Sequence, residues 1–280
     1  MIWDIVARTI GEVAMIVEAP KQRAGKSQTI ERAALILACF SAEEPHLTLA
    51  ELASRLNLNQ STAYRYVSTL QDAGLLERDQ RRGGYRLGLR VIELSYVALN
   101  HIDVRKHALD EMDKLRDEFN LLVSLGVLFE GDVLHIAHSV PAHWPPWYTT
   151  VGRRAVAHCT SLGKVLLAAL PWPAALATVE RFGWRPYTPK SIQDPERLER
   201  ELALVRERGV AIDDEERNLG TMCVGAPVRD YSGQVVAALS VSGKLERLAG
   251  PDRDAVVGRV REAADRVSLR LGYGGTSAYL

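Results

Sequence analysis

The stretch Thr48–Gly74, TLAELASRLNLNQSTAYRYVSTLQDAG, decides the reading of the N-terminal part of the chain. Thr48 and Glu51 stand in a T-x-x-E spacing, in which each side chain can satisfy an otherwise open amide at a helix start. Leu49, Leu52, Ala53 and Leu56 then fall at i, i+3, i+4 and i+7, so a short helix buries one stripe. Asn57 tolerates left-handed backbone and suits a tight turn. A third helix is expected from Asn59 or Gln60 to about Ala73, with Ala63, Tyr66, Val67 and Leu70 facing inward and Gly74 ending it.

Working outward, Gln28–Phe40 carries Ile30, Ala33, Ala34 and Leu37 at helical spacing, and Ser41–His46 breaks it. After Gly74 come two strand-like runs, Leu75–Asp79 and Tyr85–Leu87, joined by the turn-forming Gln80–Gly84. Helix, short helix, tight turn, third helix and basic hairpin is the order of a winged helix-turn-helix, whose third helix fits the major groove of DNA. Gln60, Ser61, Thr62, Arg65, Ser68 and Thr69 lie outside the core stripe of that helix, and no carboxylate precedes Asp72. Arg65 is the first candidate for a base or phosphate contact, with Gln60, Ser61 and Thr62 near the helix start. Arg81 and Arg82 sit at the hairpin tip, within reach of phosphate or the minor groove. From Gln60 to Arg90 six arginines face three acids. A solvated face shows such an excess too, and a winged helix can also serve as a protein-interaction module.

Composition bounds the rest. The 280 residues allow two domains, and 47% hydrophobic with 25% charged residues is globular composition. Net charge is zero, so any DNA-binding surface is a local patch. Cys39, Cys159 and Cys223 are widely spaced with no CxxC pair, which excludes a zinc-finger pattern and fits a reducing cytoplasm. Asp4, Arg8 and Glu12 interrupt the apolar start, so residues 1–26 read as an N-terminal extension, neither a signal peptide nor a membrane span. Residues 27–88 form the DNA-binding domain, 89–102 a linker helix, 103–272 a second domain and 273–280 a tail. In the second domain, helices are expected over Asp103–Phe119, Ser161–Leu170, Pro195–Arg208 and Asp252–Leu271. Strands are expected over Leu121–Phe129, Val133–Val140, Val210–Asp213, Met222–Arg229 and Gln234–Ser242. Adjacent hairpins imply an antiparallel sheet with segregated helices, an α+β fold.

The residues resemble those of the IclR family of bacterial transcription regulators. The N-terminal likeness runs through Thr29–Phe40, Leu49–Ala53, Ser61–Arg65 and Tyr85–Gly88. The C-terminal likeness runs through His158–Lys164 (HCTSLGK), Arg208–Glu216 (RGVAIDDEE), Cys223 and Val241–Gly243. The resemblance covers about residues 27–272. It implies an N-terminal all-α winged helix-turn-helix and a C-terminal α+β GAF-like effector domain with an antiparallel sheet. It also implies double-stranded operator DNA and a small-molecule effector as partners, in a homodimer or dimer of dimers. Family members are often repressors of catabolic operons, though some activate, so repression is the expectation. No cofactor and no catalysis are implied.

By the same resemblance, the effector pocket combines the amides of Ser161 and Leu162 at a helix start with the side chains of Asp213, Cys223, Ser240 and Ser242. A helix N-terminus suits a carboxylate, and Ser240 and Ser242 alternate onto one sheet face. Each residue has a plainer reading: Ser161 as an N-cap, Cys223 as a small core residue, Asp213 as the start of a solvated acidic loop. Trp144, Trp147 and Tyr148, beside prolines, either line the pocket and favour an aromatic effector or form a dimer contact or lid. No nucleophile-elbow motif is present, and His158 beside Cys159 is not catalytic geometry. His135 and His138, three apart in a strand, are expected on opposite faces, which argues against a shared metal.

Overall fold

The computed structural model describes residues 27–142, 144, 151–250 and 253–274, in two compact units that divide at Ala98/Leu99. In the N-terminal unit, α1 (Gln28–Ala38), α2 (Leu49–Arg55) and α3 (Gln60–Asp72) precede a hairpin of β1 (Leu76–Arg78) and β2 (Tyr85–Leu87). The expected capping box forms: Thr48 N donates to Glu51 Oε2 at 2.7 Å, and Glu51 N donates to Thr48 Oγ1 at 3.2 Å. Asn57 takes φ +51°, making the turn, and Asn59 caps α3 by accepting from Thr62 N at 2.8 Å. The buried face of α3 is Ala63, Tyr66, Val67 and Leu70, packed with Ile36, Leu52 and Leu76. Leu47 bridges to Tyr85 and adds a third edge to the hairpin. Gly84 permits this approach, because a Cβ there would lie 2.6 Å from the Leu47 carbonyl oxygen and its φ is +84°.

Helix α4 (Arg90–Asn100) buries none of its residues and runs across the division between the units. The C-terminal unit then contains α5 (Asp103–Phe119), β3 (Leu122–Phe129), β4 (Asp132–Ser139), β5 (Arg154–Ala155), α6 (Ser161–Ala168), α7 (Trp172–Phe182) and α8 (Pro195–Arg208). It continues with β6 (Ala211–Asp214), β7 (Thr221–Arg229), β8 (Val235–Lys244), the short α9 (Leu245–Leu248) and α10 (Arg253–Arg270). Its sheet is antiparallel throughout, in the order β5-β4-β3-β8-β7-β6. On one face, Val123, Leu125, Val224 and Leu239 meet the apolar stripes of α5 (Ala108, Met112, Leu115) and α10 (Val256, Val260, Ala264). On the other, α6 packs with α7 and α8 around Leu162, Leu166, Val179 and Leu202. Helices therefore cover both faces of the sheet. Among the described residues, no helix is long and apolar enough to cross a membrane.

Helix α7 has no counterpart in the sequence reading. Pro171 and Pro173 resemble breakers, but Pro171 is the N-cap and Pro173 lies in the first turn, where a missing N–H costs nothing. A second departure is a β-bulge in β4. Leu125 pairs with Ala137 and Gly126 with His135, leaving Ile136 as the extra residue. The bulge shifts the alternation by one, so the expectation that His135 and His138 face opposite ways is wrong. Their rings stack on the same face, centroids 4.9 Å apart.

Removing the capping hydroxyl with Thr48→Ala should cost about 1 kcal/mol locally, the usual worth of an N-cap. Native-state hydrogen exchange in α2 is the check, with amides expected to exchange roughly fivefold faster.

Candidate DNA interface and effector site

The outward face of α3 is fixed by what its inward face buries. Gln60, Ser61 and Arg65 are exposed and Thr62 half-buried, as the spacing predicts. Ser61 is turned into the cap, its hydroxyl donating to Asn59 Oδ1 at 2.8 Å. Arg65 lies 5.8 Å from the ring centroid of Tyr66. Tyr64, 56% exposed, is a surface aromatic that the sequence reading passed over. Its signal was positional, one turn from both Gln60 and Ser68 on the polar side of the helix.

The hairpin tip is built by one carboxylate. Asp79 Oδ1 accepts from the amides of Arg81 and Arg82, at 2.9 and 3.1 Å, while Oδ2 meets His46 Nδ1 at 3.1 Å. The Arg82 and Arg81 amides hold its carboxyl below the ordinary range. The side chains of Arg81 and Arg82 are left exposed, with no carboxylate partner among the described residues. Arg86 and Arg90 are instead paired with Glu77 and Glu93, at 3.1 and 2.6 Å. The positive excess is therefore concentrated on Arg65, Arg78, Arg81 and Arg82.

In the C-terminal unit, α6 starts directly on the sheet. A Cβ on Gly225 of β7 would lie 3.0 Å from the Ser161 backbone, and one on Gly163 would lie 2.2 Å from the Ala157 carbonyl oxygen. Thr160, not Ser161, is the N-cap, its Oγ1 accepting from Gly163 N at 3.2 Å. The amides of Ser161 and Leu162 fall in the first turn, where no intrahelical acceptor exists. Lys164, one turn on, is fully buried. Its ammonium donates to Glu216 Oε1 at 2.6 Å, Glu201 Oε1 at 2.9 Å and the Ile212 carbonyl at 2.5 Å. Nothing in the spacing of the sequence announces this buried cation, which clamps α6 to α8 and β6.

Beneath the helix start lies a polar floor. Asp213 pairs with Cys223, and Cys223 with Ser242, so three expected residues form one row across β6, β7 and β8. Ser240 shares their face by alternation, opposite Gly225 on one side and Ser124 on the other. All six expected residues thus converge, with Leu162 supplying apolar packing: a Cβ on Gly126 would lie 3.2 Å from its Cδ1. The Cys223 thiol lies between Asp213 and Ser242 in that row, and burial, reinforced by Asp213, pushes it above the ordinary thiol range. The residue as a whole is nevertheless only partly buried.

Asp213 and Glu216 are buried, so the acidic run is not a solvated loop. Asp213 Oδ1 accepts from Glu216 N at 2.8 Å and Arg217 N at 3.3 Å. Burial first, and the nearby Glu216 charge second, push its carboxyl up to about 7. An open cleft of about 370 Å³ lies elsewhere, beside the β7–β8 turn, and includes none of the six. Trp147 and Tyr148 lie outside the described residues, as does all of 145–150. Among the described residues, no group of three or more His, Cys, Asp or Glu is placed to hold a metal.

A trihelical DNA-reading unit joined to a sensory α+β unit is the plan of a ligand-responsive transcription regulator. The "IclR helix-turn-helix domain" model matches residues 29–80, and "Bacterial transcriptional regulator IclR C-terminal" matches 96–269. The chain belongs to the IclR family of DNA-binding transcription regulators, with a helix-turn-helix and an effector-binding domain. It is 30% identical over 246 residues to the HTH-type transcriptional regulator XynR of Escherichia coli, covering 88% of this chain and 98% of XynR. It is 33% identical over 249 residues to the glycerol operon regulatory protein of Streptomyces coelicolor, covering 88% and 97%. Among solved structures, an IclR homologue from Microbacterium hydrocarbonoxydans complexed with 4-hydroxybenzoate aligns with TM-score 0.74 at 27% identity, over 87% of this chain and 98% of that one.

Asp213 links stability to pH. The unfolded chain releases this proton near pH 3.8 and the folded chain near 7. Folding is therefore favoured below that window and loses this contribution as pH rises through it, staying level above. Asp213→Asn keeps an acceptor oxygen but removes the titration. Its melting temperature relative to the unmodified protein should climb between pH 5 and pH 8. A difference that does not vary with pH would show that Asp213 ionises normally.

Proposed function

We propose that the protein is an effector-controlled repressor of a catabolic operon, acting in the cytoplasm as a homodimer or dimer of dimers. Helix α3 enters the major groove with Gln60, Ser61, Thr62 and Arg65, and Arg81 and Arg82 reach phosphate beside it. The domains that carry this reading are 27–88 for DNA, 89–102 as linker helix and 103–272 for the effector. A small organic acid, carboxylate-like or aromatic, takes its place at the Ser161 and Leu162 amides, over Asp213, Cys223, Ser240 and Ser242. No cofactor, metal or catalytic step enters the reading.

The observation that carries the effector site is the convergence of these polar side chains on one sheet face under a helix start. Buried polar groups are costly without partners, so a row of them facing one space fits a polar guest. A carboxyl poised near 7 suits an anionic guest, because a protonated Asp213 donates a hydrogen bond where a charged one would repel. The second copy is argued from α4. Leu89, Ile92, Leu94, Tyr96 and Val97 are all more than half exposed, and the helix buries nothing. A helix-turn-helix reads two half-sites about 34 Å apart through a dimer, and an unburied helix rich in apolar side chains next to the DNA unit in sequence suits that contact.

Operator binding separates the DNA roles. The paired change Arg81→Ala with Arg82→Ala should weaken binding to operator and unrelated duplex alike, and lower the slope of log affinity against log salt by about 2. Arg65→Ala should cost about 1–3 kcal/mol on the operator. Unchanged operator affinity in Arg65→Ala would remove its assigned role. The effector reading has a separate check. Ser240→Ala with Ser242→Ala should abolish release of operator DNA by organic acids while leaving DNA affinity intact, and a retained response would mean the pocket lies elsewhere.

A further inference from the structure

The outward side of α3 has fewer free polar groups than its composition implies. Ser61 donates its hydroxyl proton to Asn59 Oδ1, which also accepts from the Thr62 amide, both at 2.8 Å. Thr69 donates its own to the Arg65 carbonyl at 2.9 Å, one turn back along the same helix. Both protons are spent within the helix and its cap, so neither hydroxyl has one to give to a base. Of the exposed residues in the first two turns, that leaves Gln60, Tyr64 and Arg65.

Tyr64 lies one turn beyond Gln60 and one turn before Ser68, beside Arg65. More than half of it is exposed, and the inward positions of α3 are filled by Ala63, Tyr66, Val67 and Leu70. Its ring therefore adds little to the core. Single apolar side chains stand in water on most protein surfaces; this one stands among the residues that face the groove in the reading above. We propose that Tyr64 reads sequence, its ring lying against the 5-methyl group of a thymine in the major groove. This rests on α3 being the helix that enters the groove, as proposed above.

The chemistry of the groove selects the contact. Every base pair presents hydrogen-bonding groups there, but the thymine methyl is the one apolar group on offer. An aromatic ring covers that methyl without needing a donor or an acceptor, and both surfaces leave water. The neighbours of Tyr64 are suited to other edges: the amide of Gln60 matches adenine and the fork of Arg65 matches guanine. A phenol hydroxyl bound to phosphate is the other use of the same residue, and it would carry no sequence information. Spacing sets the position. Side chains one turn apart on a helix are separated by about 5–6 Å, and base pairs are stacked about 3.4 Å apart. The thymine thus lies roughly one or two base pairs from the one that Gln60 touches.

The test uses the full chain and the duplex that it selects from a random-sequence pool. Each thymine of that duplex is replaced singly by deoxyuridine, which removes only the methyl. One replacement in each half-site, close to the position that Gln60→Ala alters, should weaken binding about fourfold, the worth of one methyl taken out of water. In Tyr64→Ala the same replacement should cost nothing, whereas in Tyr64→Phe, which keeps the ring, it should cost as much as in the unmodified protein. Tyr64→Ser gives the same readout if Tyr64→Ala does not fold. No loss for any thymine in the unmodified protein, or a loss undiminished in Tyr64→Ala, overturns the proposal. So does a Tyr64→Phe that behaves like Tyr64→Ala, which would give the contact to the hydroxyl. If Gln60→Ala or Arg65→Ala changes the selected sequence and Tyr64→Ala does not, α3 still reads the groove and only Tyr64 has been misassigned. If none of the three changes it, or no duplex is selected, the underlying reading of α3 fails with the proposal.

Discussion

The C-terminal unit depends on one buried ammonium. Lys164 has no exposed surface, and its charge is shared among Glu216, Glu201 and the Ile212 carbonyl. Bringing an ammonium into an interior is costly unless paired and fully hydrogen-bonded, and here all three of its protons have acceptors. The clamp therefore has only one geometry in which it is not destabilising. That geometry places α6 against β6 and α8, and so fixes where the first turn of α6 meets the sheet. The close approaches at Gly163 and Gly225 are the steric half of the same constraint.

From that placement the polar floor acquires a roof. Asp213 belongs to both systems: its carboxylate holds the turn carrying Glu216, and Glu216 in turn holds Lys164. Position and electrostatics are coupled through Asp213 and Glu216, two residues of one β6–turn segment. The Asp213 carboxyl is perturbed because it is buried beside another acid, and that acid is there because the clamp needs it. Such coupling is a familiar origin of shifted groups at functional sites.

Much of this was legible in the sequence where local rules and tertiary packing agree. The Thr48–Glu51 box, the Asn57 turn, the inward stripe of α3 and the Gly83–Gly84 hairpin each rest on contacts within a few residues, and each is found. The strands around Asp213, Cys223, Ser240 and Ser242 were readable too, although their mutual register followed only from the resemblance and the folded sheet. What escaped depended on something nonlocal. The burial of Lys164 is decided by Glu201 and Glu216, far away in sequence. A bulge at Ile136 leaves no mark in an alternating apolar pattern, yet it reverses the phase of everything after it in the strand. Helix α7 was hidden because Pro171 and Pro173 carry opposite meanings at a helix start and in a helix interior.

The environment of Cys223 has a consequence for chemical reactivity. A thiol is nucleophilic and oxidisable as its thiolate, and burial beside Asp213 suppresses that form. In the effector site proposed for this unit, the sulfur can then touch a guest as a soft, weakly polar surface without adding to its carbonyl or yielding to peroxide. A sensor has to let go of what it measures. A cysteine kept as an inert thiol leaves occupancy of such a site to concentration alone, reversible over the lifetime of the protein.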